Sequence, residues 1–350
     1  MSPLLLLHPP EGADRPGLTD LLLHLQQQLP QLQTHPLQRV LPDLQGRQVL
    51  LVGDLRFVTD CATNFPQLLE DPHWATAYVD QPNGALDPQE VAAQLATLER
   101  YPRLICSSGI TRGLLISAAE RPHRRTAERA RVIRPLPDLR VYRPVDGYHR
   151  EYDRAEIRQE LLPNLTDDQP LVMGRILDHQ TDDLPGWLTT VQLMQQQLPE
   201  LRVLLWVDRP STQTRQLLQL AEVQNLTVRP DWTALTVDDQ NLVFNAADLL
   251  LSCSGCLHWP IWLAQGMASG CLVATPQDHH QLELVDQQRG VELPCPTLRL
   301  TDQVLRHTCP ALNSQILLPL LERRREYART AREWLLRQPR PDQLWAEIFG

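Results

Sequence analysis

The 350-residue sequence contains no lysine, and all 33 of its cationic side chains are arginine. Without a lysine amine the chain cannot be a pyridoxal-phosphate enzyme, a lysine-dependent aldolase, a P-loop nucleotide hydrolase or a protein kinase. The formal net charge of −9 argues against duplex nucleic acid as a partner, because proteins that bind it carry a basic face. We therefore expect no nucleic-acid partner.

Long apolar segments and an obvious disulfide framework are also missing. No stretch approaches the length of about 20 apolar residues that crosses a bilayer. The N-terminal MSPLLLLHPPEG lacks the basic region of a signal peptide and stops at two prolines. Seven cysteines, an odd number scattered along the chain, are typical of a reducing compartment. The sequence predicts a cytoplasmic protein without a transmembrane segment, and leaves peripheral membrane contact open.

The chain does contain the alternation of apolar strands and periodic helices that a doubly wound α/β domain requires. The length suits about two domains, and the proline-broken stretch 134–144 predicts the approach to a boundary. We expect an N-terminal Rossmann-like domain over 1–145 and a C-terminal one over 146–338. A helix over 339–350 could cross back onto the first domain, and an arginine-rich surface helix is predicted over 314–337.

The stretch AADLLLSCSGCLHWPIWLAQGMASGCLVAT, residues 246–275, resembles the signature region of group 1 (family 4) glycosyltransferases of the GT-B fold. The strand PLVMGRI resembles the glycine–arginine strand of the same family. The matched positions are Ala247, Asp248, Ser254, the MASG run at 267–270, Gly174, Arg175, Glu283 and Gly290.

This resemblance implies two Rossmann-like domains facing a cleft, with the acceptor side in the first domain and the donor side in the second. It implies transfer of a sugar, with retention and without a metal or cofactor, from a nucleotide-sugar co-substrate to a glycan, lipid or small-molecule acceptor. Arg175 would stabilise the leaving diphosphate. Family members often have a polar group near the sugar at the end of a strand of the first domain, and Asp80 is the residue closest to that position. The donor would contact Gly174, Arg175, Ser254, Gln265, His279, His280 and Glu283.

The sequence departs from the family at the positions that hold the donor. The two acids of the E-x7-E pair are Leu257 and Gln265, and the lysine after the glycine–arginine pair is Gln180. The glycine pair of GGxxE is His279 and His280. Leucine cannot bind a diol, and a neutral glutamine does so with about half the strength of a carboxylate. The alternative is a catalytically inactive GT-B scaffold that binds a glycan, a nucleotide or a protein partner.

Four of the candidate residues also have a purely structural interpretation. Arg175 could form an interdomain salt bridge, Gln265 could pack within its helix, and Glu283 could cap a loop. Asp80 could be the turn residue of the DQPNG segment. The Cys253-x2-Cys256 pair could begin a zinc or redox site, although no second C-x2-C completes it.

The donor pocket separates the two hypotheses. An enzyme should keep a polar site around Arg175, Gln265 and Glu283. A scaffold should have filled that site, with Trp259 and Trp262 as candidates on one face of a helix that begins near Trp259.

Overall fold

A computed structural model describes most of the chain, in two compact units. The first comprises Met1–Pro135, Leu257–Trp259 and Pro339–Gly350, and the second comprises Leu136–Cys256 and Pro260–Gln338. The residues described are 4–9, 18–29, 31–37, 42, 44, 47–69, 75–81, 88–119, 124–145, 153–177, 182–208, 210–252, 259–277, 283–300, 303–306 and 308–349.

The first unit is built on a parallel six-stranded sheet. Its strands are β1 (Leu4–His8), β2 (Leu32–Pro36), β3 (Gln48–Asp54), β4 (Ala75–Gln81), β5 (Arg103–Cys106) and β6 (Arg131–Val132). They lie in the order β2-β1-β3-β4-β5-β6, and every adjacent pair is parallel. The helices among them are α1 (Leu18–Gln28), α2 (Leu55–Asn64), α3 (Pro88–Leu98), α4 (Gly109–Ala118) and α5 (Arg124–Arg129).

Continuous apolar runs produce the central strands of this sheet. A parallel sheet covered on both faces needs side chains that are apolar on both sides, and β1 and β3 supply LLLL and VLLV. Two helices begin at side chains that accept backbone N–H groups: Asp54 caps α2 through Phe57, and Ser108 caps α4 through Thr111.

The second unit repeats this architecture. Its helices are α6 (Arg154–Leu161), α7 (Leu184–Gln197), α8 (Thr212–Leu220), α9 (Val237–Ala246), α10 (Ile261–Ser269), α11 (Pro310–Leu321) and α12 (Arg324–Leu336). Its strands are β7 (Leu171–Ile176), β8 (Arg202–Val207), β9 (Leu226–Pro230), β10 (Leu249–Leu251), β11 (Leu272–Pro276) and β12 (Val291–Leu293), followed by the antiparallel hairpin of β13 (Thr297–Leu300) and β14 (Gln303–Arg306).

The strand order of the second sheet positions the candidate site. The order is β12-β11-β10-β7-β8-β9, again all parallel. The chain winds outwards from β7 to β9 and then returns to place β10 against the other side of β7. Ligands of open parallel sheets bind beside the carboxyl ends of the strands at such a reversal, which here lies between β7 and β10.

The second unit begins at Leu136, whereas the sequence places the boundary after residue 145. Residues 136–145 group with the second unit because α9 binds them. The Tyr142 hydroxyl donates to Gln240 at 2.8 Å, and the backbone N–H of Val145 donates to Asn245 at 2.9 Å.

The last helix, α13 (Pro341–Phe349), belongs to the first unit. Trp345 is buried, stacks on Phe349 at 5.9 Å between ring centroids, and lies 5.8 Å from the Tyr78 ring of β4. Its indole N–H donates to Gln28 of α1 at 3.1 Å. These contacts secure the C-terminal segment on the first sheet.

The arginine-rich helix expected over 314–337 is two helices, because the chain breaks at Glu322 and Arg323 between α11 and α12. Across the described ranges, no helix is long and apolar enough to cross a membrane.

Candidate functional site

Gly174 and Arg175 are consecutive residues near the carboxyl end of β7, beside the reversal of the second sheet. A Cβ on Gly174 would lie 2.5 Å from Cζ2 of Trp187, so glycine is needed for the α7 indole to pack against the strand. The Trp187 N–H in turn donates to the carbonyl of Leu251, at the end of β10, at 2.9 Å. Gly174 therefore serves close packing of helix on sheet.

Arg175 forms a salt bridge with Asp208 within the second unit. Oδ2 of Asp208 accepts from Nε of Arg175 at 2.9 Å and from Nη2 at 2.5 Å. The two residues meet because Arg175 is paired with Trp206 across β7 and β8, and Asp208 lies two residues beyond Trp206, on the same side. Arg175 is 5% exposed, so its charge is largely neutralised in a buried setting. Arg175 thus forms a salt bridge between neighbouring strand ends of the second unit.

Trp232 holds this ion pair in place. Its backbone N–H donates to Oδ1 of Asp208 at 2.9 Å, and its ring lies 5.8 Å from the Arg175 guanidinium carbon. Both oxygens of Asp208 therefore accept hydrogen bonds, and the arginine fork is fixed in direction.

Four aromatic rings pack together behind the ion pair. Trp232 meets Trp206 at 5.1 Å, Phe244 at 5.0 Å and Trp262 at 6.2 Å between centroids, all edge to face. Trp262 is thus part of the packed interior of the second unit. Within the part of the chain that the structure describes, the buried indole N–H groups of Trp206 and Trp262 meet no acceptor.

Gln265 lies in the middle of α10, a helix buried along its whole length. Its Nε2 donates to the Tyr142 hydroxyl at 2.9 Å, and that hydroxyl donates to Gln240. The amide at the position of the family's second acid is thus part of a buried network inside the second unit.

Glu283 lies in a turn before β12. Its carbonyl accepts from Arg289, which also forms an ion pair with Asp286 at 2.8 Å. Arg289, with two backbone N–H groups, lowers the pKa of the Asp286 carboxyl against the opposing effect of partial burial. The turn that carries Glu283 is therefore locally braced.

Asp80 stands near the end of β4 in the first unit, 1% exposed. Its Oδ1 accepts the backbone N–H of Trp259, a residue of the same unit, at 3.5 Å. Its backbone carbonyl accepts the hydroxyls of Ser107 and Thr111. Burial, reinforced by the Asp80 carboxylate, raises the pKa of Tyr78 well above its usual value. Asp80 is not the turn residue of the DQPNG segment, because it lies within β4 and its side chain is buried.

Trp259 and Trp262 do not share a helix face. The helix α10 begins at Ile261, so Trp259 precedes it and groups with the first unit. Ser254, His279 and His280 lie outside the described residues, as do Leu257, Gln180 and the Cys253–Cys256 pair. Among the residues with described positions, no group of three or more His, Cys, Asp or Glu side chains could hold a metal ion.

The sequence interpretation missed Asp208 and Trp232. Asp208 directly follows the apolar run LRVLLWV. An acid at the end of the strand that neighbours Arg175 is a signal for an ion pair once the strand order is known.

Solved structures with similar folds cover the whole chain. HepE from Anabaena, in complex with UDP and glucose, matches with a TM-score of 0.69 at 14% identity, over 99% of each chain. Sucrose-phosphate synthase from Thermosynechococcus elongatus matches with a TM-score of 0.65 at 15% identity, over 100% of this chain and 96% of that one. A glycosyltransferase from Rickettsia africae matches with a TM-score of 0.63 at 10% identity, over 99% and 98%.

No protein-family model and no curated protein matches the sequence. At these identities the structural likeness establishes the fold. The prediction of two Rossmann-like α/β domains is confirmed, and the chain has the fold of the GT-B glycosyltransferases.

Proposed function

We propose that this protein is a glycosyltransferase that takes its sugar from a nucleotide-sugar donor. The acceptor class is a glycan, a lipid or a small molecule, and transfer proceeds with retention and without a bound metal. The observation that carries the proposal is the likeness, over 99% of both chains, to HepE, which was solved with UDP and glucose.

Arg175 is the residue best placed to receive the donor diphosphate. It stands near the carboxyl end of β7, beside the reversal of the sheet, where parallel α/β folds bind ligands. Its guanidinium is held in one direction by Asp208 and Trp232. A diphosphate would share the guanidinium with Asp208, and preorganised positive charge of this kind stabilises a leaving group as its negative charge develops.

A non-catalytic, nucleotide-binding scaffold is the second candidate. Two contacts favour it: Asp208 already neutralises Arg175, and Gln265 donates to Tyr142. Removal of one preorganised group typically costs about 2.7–4 kcal/mol of barrier. Leu257 and Gln265 replace the family's two donor-site acids, and Gln180 replaces its lysine. An active enzyme therefore depends heavily on Arg175.

Nucleotide binding and turnover test both candidates. The melting temperature is measured with millimolar UDP, GDP and ADP and their sugar conjugates. A ligand at about 100 times its Kd adds roughly 2.7 kcal/mol of stability. Arg175→Ala is the test variant. Arg140→Ala, which removes an exposed arginine of the same unit, is the matched control.

A shift with one nucleotide that Arg175→Ala abolishes and Arg140→Ala preserves, together with release of that nucleotide from its sugar conjugate, supports the transferase. The same shift without release, across glycan, lipid and small-molecule acceptors, selects the scaffold. The absence of any shift in folded protein contradicts both.

A further inference from the structure

A second concave site lies at the opposite ends of the second unit's strands. It has a volume of about 280 Å³ and is bounded by α6, α12 and the segments that precede β10 and β11. Asp248, directly before β10, and Gly270, shortly before β11, are among its lining residues. The site therefore lies at the amino edge of the sheet, whereas Arg175 and Asp208 stand at the carboxyl edge. We call it the α12 cavity.

Arginines dominate the lining of the α12 cavity. Arg154 comes from α6, and Arg324, Arg325, Arg329 and Arg332 come from α12. The spacing of 325, 329 and 332 places these residues along one face of the helix. Like charges at such spacing disfavour a helix, so this stripe weakens α12 unless something else compensates it.

Asp248 is the acid among the lining residues, and its oxygens are already engaged. Oδ1 accepts from Arg154 at 2.7 Å and forms a salt bridge with Arg324 at 2.8 Å. Oδ2 accepts from Arg158 and from the Leu171 N–H. One carboxylate is thus shared by three guanidinium groups. Arg154 also reaches Asp167, which is largely exposed and outside the lining.

The remaining arginines add positive charge with little compensation. Arg329 meets Glu333 only at 4.0 Å, and both side chains are mostly exposed, so solvent screens the pair. Among the residues the structure describes, no carboxylate forms a salt bridge with Arg325 or Arg332. Arg332 donates instead to the carbonyls of Tyr142 and Ala268.

The environment of Arg332 disfavours the charged form of its guanidinium. Burial and, secondarily, the charge of Arg143 lower the pKa of its guanidinium. The α12 cavity thus carries a concentrated positive field, although the whole chain is acidic.

Arginine forks at this density fit a phosphate. A guanidinium binds two phosphate oxygens at once, and several together neutralise a dianion. A volume of about 280 Å³ is close to the lower end of ordinary ligand pockets, and it suits a phosphate or pyrophosphate group with a small substituent. We propose that the α12 cavity binds a phosphate-bearing anion, as a free ion, a small phosphomonoester or a lipid phosphate headgroup, at a site separate from the proposed donor site.

Binding of inorganic phosphate and pyrophosphate tests this proposal at constant ionic strength, with chloride as the balancing anion. The variant Arg325→Gln/Arg329→Gln removes two exposed arginines from the cavity. The variant Arg323→Gln/Arg337→Gln removes the same charge at the two ends of α12, outside the lining. Vesicles of phosphatidylcholine with and without phosphatidic acid form the headgroup arm.

We expect pyrophosphate to raise the melting temperature of the wild type and of the control pair. We expect the Kd for pyrophosphate to be at least about tenfold higher in Arg325→Gln/Arg329→Gln, because two charge-assisted contacts are lost. Without ligand this variant should melt no lower than the wild type, since repulsion along α12 is relieved. The same loss of affinity should appear when Arg325→Gln/Arg329→Gln is introduced into Arg175→Ala, because the two sites lie at opposite edges of the sheet.

The headgroup arm distinguishes the source of the phosphate. Sedimentation with phosphatidic acid vesicles alone, lost in Arg325→Gln/Arg329→Gln, supports the proposal with a lipid as the source. Failure of both free anions and vesicles to bind overturns it. An equal loss of binding in the control pair also overturns it, since it would indicate a diffuse attraction to arginines outside the cavity.

Discussion

The guanidinium of Arg175 and the carboxylate of Asp208 meet at 2.5 Å between the ends of adjacent parallel strands. A diphosphate bound by Arg175 would therefore compete with Asp208 for the guanidinium. A single substitution at Asp208 should therefore change both the affinity for the diphosphate and the stability of the fold.

Asp208→Asn should strengthen the binding of the donor nucleotide while it weakens the fold. Asparagine keeps one acceptor oxygen, for either Arg175 or the Trp232 N–H, and no longer neutralises the arginine. We expect a Kd for the nucleotide that is several-fold lower and a loss of about 1–3 kcal/mol in the free energy of unfolding. Titration calorimetry and urea unfolding measure the two effects.

Asp138→Asn is the matched control, because Asp138 forms an exposed ion pair with Arg140 in the same unit. It should change neither quantity appreciably. Weaker nucleotide binding in Asp208→Asn would contradict the assignment of Arg175 to the donor phosphates.

The bond from Gln265 to Tyr142 should contribute to the stability of the second unit. Gln265→Leu leaves a buried hydroxyl without its donor, which should cost about 1–3 kcal/mol. The double variant Gln265→Leu/Tyr142→Phe should lose less free energy of unfolding than the sum of the two single losses, because the residues share one hydrogen bond. Additive losses in urea unfolding would show that the two side chains are not coupled.

Cys106 should resist alkylation in the folded protein. Burial raises the pKa of its thiol from 9.0 to about 12, against a smaller opposing effect of Arg112. The thiolate, which is the reactive form, is therefore scarce near pH 8.5, about the pKa of an ordinary thiol. Cys309 is partly exposed and should react before Cys106. Mass spectrometry of iodoacetamide-treated protein, with a urea-unfolded control, measures both sites.

The raised pKa of the Cys106 thiol also determines how the free energy of unfolding depends on pH. The folded state keeps the Cys106 proton at pH values where the unfolded state loses it. Its contribution to stability is complete below pH 9 and is lost as the pH rises towards 12. Alkylation of Cys106 as fast as Cys309 would contradict its burial.

Trp345→Ala should destabilise the first unit by about 3–5 kcal/mol, since it removes a fully buried aromatic side chain. The loss also frees the Tyr78 ring and the Gln28 amide from their contacts. Glu347→Ala, on the exposed side of α13, is the control. Equal melting temperatures for the two variants would contradict the packing of α13 on the first sheet.

The alternation of apolar strands and helices was sufficient to predict the fold class. The N-terminal leucine run LLLL illustrates where the pattern is ambiguous. The run is too short to span a membrane, and in the structure it forms a central strand, β1. β2 contains polar residues, ends at Pro36 and follows Pro30 closely, so no alternation of apolar and polar residues marks it as a strand. Its position at the edge of the sheet, where one side has no neighbour, explains why such a sequence is tolerated.

The candidate site was predictable only in part. The position of Arg175 at the end of a strand follows from the motif, and the structure places it there. Its partner Asp208 is 33 residues away in the chain. The register of β7 and β8, which brings the two residues together, cannot be predicted from either segment alone. The Gln265–Tyr142 bond spans 123 residues and depends on tertiary packing in the same way.

The return of α13 to the first sheet has a consequence for biosynthesis. During translation, the ribosome must complete the entire second unit before the helix that covers Tyr78 emerges. The second unit can therefore reach its native state while the first still exposes an apolar surface. A nascent chain stalled after Gln338 should be a substrate for chaperones that bind such surfaces, and release of the last helix should end that interaction.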